Sequence, residues 1–230
     1  MRYAAFAGVV CLLVASLATA DILGTVTAAY TGNFTDGTIK LWGDGYPGGI
    51  EGYGGVYILN KTAGTGEGAL IPDGDIWSFC IEMAEHPSGD PVAYDVVMPS
   101  DAPLPPTHGQ IGAAGQEYLR ELWGRYYDTA ILNQADAEAF SACVWEIVYE
   151  GSDPMAWDVS AGPGFRCEKL ADPGKANGWL ASLDGTGPKA HLRALVYEGE
   201  QDYLVEIIPE PGTLAMLALG LGGIILRRKT

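Results

Sequence analysis

The chain has 230 residues, with 29 acidic and 13 basic side chains, a formal net charge of −16 and a pI near 4.3. Because such an acidic chain repels phosphate, its composition excludes nucleic-acid binding as the expected function. With 48% hydrophobic and 10% aromatic residues it can bury a core, so it is not a disordered chain, and its length allows one or two domains.

Residues 1–20 have the pattern of a secretory signal peptide. Arg2 precedes an apolar run that ends at Leu17, and Ala18 and Ala20 form a small-x-small cleavage site before Asp21. A permanent N-terminal anchor is the alternative, but the apolar run is short for a membrane span. The sequence therefore predicts export across the inner membrane.

The segment after the signal peptide alternates between short strand-like runs and glycine turns, with 14 glycines in residues 21–75. Alternating polarity and β-branched or aromatic side chains favour strands in these runs. The strands predicted in this part are Thr25–Thr31, Thr38–Trp42, Val56–Asn60, Ile76–Glu82 and Val92–Val97. Residues 46–55, which are rich in glycine, are predicted to form a long surface loop.

From about residue 109 the apolar residues follow a helical period. Leu119, Leu122, Trp123 and Tyr126 form one stripe of a first helix. The other predicted elements are a helix over Ala135–Glu150 with Asn133 as its N-cap, a helix over Lys175–Leu183, and strands at Leu192–Tyr197 and Tyr203–Ile208.

These elements predict an α+β body over residues 21–208 that is mostly β. Strands from about 25–97 and 192–208 are expected to form a sandwich or barrel-like sheet, with a layer of two to three helices inserted at about 109–185. A separate helical domain at 105–185 is the alternative, although no linker sets it apart.

Three cysteines, Cys80, Cys143 and Cys167, remain after Cys11 leaves with the signal peptide. An odd number in an oxidising compartment suggests one disulfide and one free thiol. The position of Cys143 on a buried helical stripe favours a Cys143–Cys167 pair over Cys80–Cys143. Three unreacted buried thiols are the alternative.

The C-terminus combines three features in a fixed order. Pro209, Glu210 and Pro211 end the last strand, and residues 212–226 then form an uncharged stretch, which predicts a transmembrane helix about 23 Å long. Arg227, Arg228 and Lys229 close the chain, and such cations stay on the cytoplasmic side of a membrane. An ordinary tail anchor is the alternative.

This arrangement, spanning residues 209–230, resembles the PEP-CTERM sorting signal of Gram-negative and related bacteria. The resemblance implies recognition and cleavage by an exosortase, a membrane-embedded cysteine transpeptidase. It also implies a membrane-anchored precursor that ends in the cell envelope or extracellular matrix, in association with exopolysaccharide and biofilm. Residues 21–208 then carry 28 acids and 9 bases, a net charge near −19.

A second resemblance covers about residues 76–208. The segment 77–82 around Cys80, followed by 139–147 with Trp145, resembles the thioester domains of bacterial surface proteins, and the closing Gln201-Asp202-Tyr203-Leu204-Val205 looks like the last strand of related PEP-CTERM bodies. In that family a cysteine and a glutamine form an internal thioester that amines attack. Counting back from Trp145, the glutamine position of the family pattern falls on Ser141, whose hydroxyl cannot supply the acyl group.

No catalytic constellation accompanies these motifs. The sequence has no H-E-x-x-H pair, P-loop or G-x-S-x-G elbow, and the acid pairs Glu82/Glu85 and Glu146/Glu150 are of a kind expected by chance among 29 acids. Asp73 and Asp75 are expected in a plain turn rather than in a calcium site. We therefore expect a non-enzymatic exported protein without cofactor or metal. The alternatives are a covalent adhesin with another acyl partner for Cys80 and a secreted glycan-acting enzyme.

Overall fold

The computed structural model of the chain describes residues 20–34, 37–43, 48–104, 109–151, 153–162 and 164–208. The predicted signal peptide before Ala20 lies outside the described residues, as does the whole segment from Pro209 to the C-terminus. The predictions for Ala18, for the Pro209–Pro211 motif, for the helix 212–226 and for the terminal cations therefore fall outside this description. Among the described residues, no helix is both long enough and apolar enough to cross a membrane.

Six antiparallel strands form a closed barrel in the order β1-β4-β5-β9-β8-β6. Their bounds are β1 Gly24–Asn33, β4 Tyr57–Gly66, β5 Gly74–Cys80, β6 Val92–Val97, β8 Leu192–Tyr197 and β9 Glu200–Glu206. The barrel confirms the prediction of a mostly β body with a barrel-like sheet. The last two predicted strands do return to this sheet, where β9 closes the barrel by pairing with both β5 and β8.

A second sheet of three strands, in the order β3-β2-β7, lies beside the helices. It consists of β2 Thr38–Gly43, β3 Ile50–Tyr53 and β7 Phe165–Glu168. The prediction of one long loop over 46–55 is wrong at β3, which pairs with β2 along its whole length. Because β3 and β7 have four residues each, their formation depends on pairing with β2 rather than on a local pattern.

Three helices lie between β6 and β8 in the chain: α1 Gly112–Ala130, α2 Gln134–Tyr149 and α3 Pro173–Ala181. α1 contains the predicted stripe, and the predicted ends of α2 and α3 are correct to within two residues. Asn133 caps α2 by accepting the Asp136 amide at 3.0 Å. Residues 136–149 of α2 are all buried. A helix covered on every side is the centre of a core, and α2 packs against α1, α3, β5 and β7.

The two chain ends of the body leave the barrel at the same end. The Leu23 amide donates to the Val96 carbonyl before β1, and the Ile207 amide donates to the His191 carbonyl after β9. Val97 at the end of β6 pairs with Ala194 near the start of β8, which places both contacts at one rim. Cys80 ends β5, which runs antiparallel to β9, so Cys80 lies toward the opposite rim.

Glu121 is a fully buried carboxylate that fixes the connection from α3 to β8. Its oxygens accept the backbone amides of Gly185 at 2.7 Å and Gly187 at 3.1 Å, and Arg125 pairs with it one turn along α1. A buried charge of this kind is tolerated only when several donors satisfy it. Glu121 therefore couples the helical layer to the segment that leads into β8.

We expect Glu121→Ala to lower the free energy of unfolding by roughly 3 kcal/mol, because it leaves partly buried amides without an acceptor. Glu117→Ala is the matched control on the same helix. Its carboxylate is 41% exposed and pairs with Arg120 and Lys189, and because exposed ion pairs contribute little, its loss should cost less than about 1 kcal/mol. Urea unfolding of both variants measures the difference, and equal midpoints would contradict this role for Glu121.

Candidate functional site

Cys80 is buried at the end of β5 and points into the barrel. It pairs with Tyr203 of β9, and Tyr203 contacts the rings of Tyr57 and Tyr94 inside the barrel. The neighbouring residue Phe79 points the other way, toward Phe140 of α2 at a ring separation of 4.5 Å. This alternation is that of any strand, and it explains why β5 is buried on both faces.

The side chain that acts on the Cys80 thiol comes from β9. Burial raises the pKa of Cys80 to about 12, while hydrogen bonding from the side chain of Gln201 opposes this rise. Gln201 lies two residues before Tyr203 on β9, so both side chains face the interior with Cys80. The sulfur also accepts the Glu82 amide at 3.3 Å. The thiol thus lies beside a carboxamide in a protected environment.

A cavity of about 230 Å³ opens next to this pair at the barrel rim. Gln201 and Trp145 line it together with Tyr57, Glu82 and Glu85. Gln201 is 4% exposed and Trp145 1% exposed, yet the Gln201 Oε1 and Trp145 Nε1 atoms have no hydrogen-bond partner within the described part of the chain. Buried polar atoms without partners are rare in folded proteins, so this cavity is the candidate functional site.

Glu82 and Glu85 line this cavity, and together with Asp202 they also line a neighbouring groove. Burial, together with the charges of Asp202 and Glu85, raises the pKa of Glu82 to about 8, and burial raises the pKa of Asp202 to about 7. Asp202 accepts the Tyr197 amide at 3.0 Å, and both oxygens of Glu85 accept the Gly199 amide at 3.1 Å. Like charges in a partly buried site hold protons more strongly than isolated carboxylates do.

The Ser141 hydroxyl holds the turn before β4 instead of pairing with the Cys80 thiol. Its hydroxyl donates to the Gly55 carbonyl at 3.2 Å and accepts the Gly55 amide at 2.8 Å, so it fixes the turn before β4. Gly55 has a φ of +148°, a conformation that favours glycine. Ser141 thus supports the loop, whereas the carboxamide beside Cys80 belongs to Gln201, which the sequence pattern had not indicated as the partner.

The predicted Cys143–Cys167 disulfide is not present in the structure. Cys80, Cys143 and Cys167 are all free and buried. The Cys143 thiol donates to the Ala176 carbonyl of α3 at 3.3 Å, and the Cys167 thiol points to the Glu168 carbonyl at 3.8 Å. Each sulfur therefore has its own neighbour, and burial raises the pKa of Cys167 to about 12.

The remaining acids singled out from the sequence have structural partners. Asp73 pairs with Lys61, and Asp75 accepts from Asn60 at 3.1 Å. Glu146 accepts the Asp158 amide at 2.7 Å, and Glu150 accepts the Phe165 amide, so both hold the segment between α2 and β7. In the described ranges, no three side chains among histidine, cysteine, aspartate and glutamate are arranged to hold a metal ion.

The acids at the cavity predict that stability falls as the pH rises. Glu82 and Asp202 have folded-state pKa values above their ordinary 4.5 and 3.8, so their contribution is fully present below about pH 4. It is lost as the pH rises through about 7 to 8, and the melting temperature should therefore decrease between about pH 5 and pH 9.

Asp202→Asn keeps an oxygen for the Tyr197 amide but removes one titrating group. We expect it to reduce the slope of unfolding free energy against pH by at most about 1.4 kcal/mol per pH unit. The exposed Glu168→Gln is the matched control and should leave the slope unchanged. If unfolding free energy depends on pH in the same way in Asp202→Asn and the wild type, the contribution of Asp202 to this dependence is contradicted.

Comparison with family models identifies the C-terminal segment. Residues 208–229 match the model of the PEP-CTERM protein-sorting motif, which includes Pro209, Glu210 and Pro211. No curated protein and no solved structure matches the chain. The match begins two residues after the last barrel strand. It confirms the resemblance of this segment to the sorting signal, and a motif of this kind indicates processing by an exosortase.

Proposed function

We propose that this protein is a non-enzymatic component of the cell envelope or extracellular matrix, associated with exopolysaccharide in a biofilm. The observation that carries the proposal is the sorting motif at residues 208–229. β9 ends at Glu206, so cleavage near Pro209 leaves every described strand and helix in the released body. A body with a net charge near −19 is suited to staying soluble outside the cell.

Pro209→Ala tests the sorting half of this proposal. In cells that contain an exosortase, we expect the wild-type protein to lose its C-terminal segment and to leave the membrane fraction. The variant should keep the segment and stay with the membrane, because the motif is what the exosortase recognises. Intact mass and fractionation measure both effects.

Pro91→Ala is the matched control, since Pro91 is an exposed proline outside the motif. It should be processed as the wild type is. Equal mass and equal location of the wild type and Pro209→Ala would refute sorting through this motif.

A second candidate function, a covalent adhesin, is favoured by the position of Gln201 beside Cys80. In this function the Cys80 thiol attacks the Gln201 carboxamide carbon, the C–N bond breaks, and ammonia leaves with the thiol proton. The product is an internal thioester that joins β5 to β9. The unpartnered Gln201 Oε1 atom and the protected thiol support this chemistry.

The location of the pair also suits an adhesin. The body is connected to the sorting signal at the rim where β9 ends, and the cavity beside Cys80 lies toward the other rim. A protein attached through its C-terminus therefore presents this cavity away from the surface of attachment.

Intact mass tests the thioester directly. We expect the purified protein to be lighter than its sequence by one ammonia, and to gain one methylamine when that nucleophile is added. Cys80→Ser and Gln201→Ala should each abolish both changes, because they remove one half of the bond. Cys143→Ser and Gln110→Ala are matched controls and should retain them. A full-mass wild type that forms no adduct would exclude the thioester.

A further inference from the structure

The cavity beside Cys80 and Gln201 has the features of a site for a cationic chain with an apolar stem. Its walls include the apolar side chains of Leu41, Ile50 and Met83, and its acidic side is formed by Glu82 and Glu85. Gln201 and Trp145 line the same space with polar atoms that have no partner in the described part of the chain. An apolar pocket with a few convergent polar groups is the usual form of a small-molecule site.

The charges at this cavity are unbalanced. Glu51, which also lines it, is already paired with Lys169 at 2.7 Å. Glu82 and Glu85 form no ion pair with any described residue, and the charge of Asp202 acts on Glu82 from the neighbouring strand. Carboxylates that repel one another and lack a cation are stabilised by a ligand that supplies one.

We propose that Glu82 and Glu85 are positioning residues that bind the ammonium group of a primary alkylamine, such as a lysine side chain or a short diamine, in the cavity beside Cys80 and Gln201. This inference rests on the covalent function proposed above for its chemical step, but the binding itself does not require the thioester. The apolar walls contact the alkyl stem, and the two carboxylates select the charged end.

In the chemical step the bound ammonium first gives one proton to the Glu82 carboxylate. The amine nitrogen then attacks the thioester carbonyl carbon of residue 201, and the C–S bond breaks. The second nitrogen proton goes to the Cys80 sulfur, so the products are an amide at residue 201 and a free thiol. Because attack requires a neutral amine, a carboxylate in contact with the ammonium serves as the general base for this first proton.

Binding is tested on the full chain in a nonionic detergent, with Cys80→Ser as the background so that no thioester forms. The probes are cadaverine and Nα-acetyl-lysine amide, with pentanediol as the neutral chain of equal length and glucosamine as an amine without an alkyl stem. Calorimetry should show binding of cadaverine or acetyl-lysine amide and none of pentanediol or glucosamine. If only cadaverine binds, the ligand is a free diamine. If only acetyl-lysine amide binds, the ligand is a lysine side chain.

The variants show which carboxylates recognise the ammonium. Glu82→Gln should weaken binding roughly tenfold or more, because it removes a charged hydrogen bond, whereas Glu82→Asp should retain part of it. Glu168→Gln, an exposed acid on β7, should bind as the background does. Equal binding of cadaverine and pentanediol, or equal affinity in Glu82→Gln and Glu168→Gln, would overturn the proposal.

The chemical step is measured separately on the wild-type thiol. The rate of amine adduct formation in Glu82→Gln should fall relative to Glu168→Gln, while the loss of ammonia stays complete in both variants. If the wild type shows no loss of ammonia, the thioester fails while the calorimetry still decides the ammonium site. If ammonia is lost but Glu82→Gln reacts as fast as the control, the proton-accepting role of Glu82 is refuted.

Discussion

The pairing of β5 with β9 is the contact on which the rest of this structure depends. It joins residues 79 and 80 to residues 203 and 204, more than 120 positions later in the chain. Without it the barrel is open, β9 has only β8 as a partner, and the core loses its closed wall. The same pairing brings the Gln201 carboxamide to the Cys80 thiol, so the contact that closes the barrel also assembles the candidate site.

The helical layer allows this pairing to be buried on both faces. Phe79 contacts Phe140 and Trp123 on the outside of the barrel, while Cys80, the next residue, points into the barrel interior. α2 can occupy this position because its residues from 136 to 149 are all buried and most of them are apolar. The buried acids Glu121 on α1 and Glu146 on α2 accept backbone amides from the connecting segments, and so they fix these loops.

The sequence was sufficient for the helices and for most of the barrel because these elements have local signals. The stripe from Leu119 to Tyr126 and the Asn133 cap are periodic or adjacent features, and β8 occurs at its predicted bounds. β3 and β7 were missed because four-residue strands form only when β2 is beside them. Gln201 was missed as a neighbour of Cys80 because the pairing register of two strands this far apart in the chain cannot be deduced from the sequence of either strand. The pattern around Trp145 indicated Ser141, whose hydroxyl is engaged by Gly55.

The strand β9 has a mechanical consequence. Residue 201 lies at its beginning, and the sorting signal follows its end, so a covalent bond at residue 201 and an attachment after residue 208 would be joined by one short stretch of backbone. Tension between a bound surface and the cell would then run along this stretch alone. The other five barrel strands and the three helices would carry none of the load, and the hold would not depend on the resistance of the barrel to unfolding.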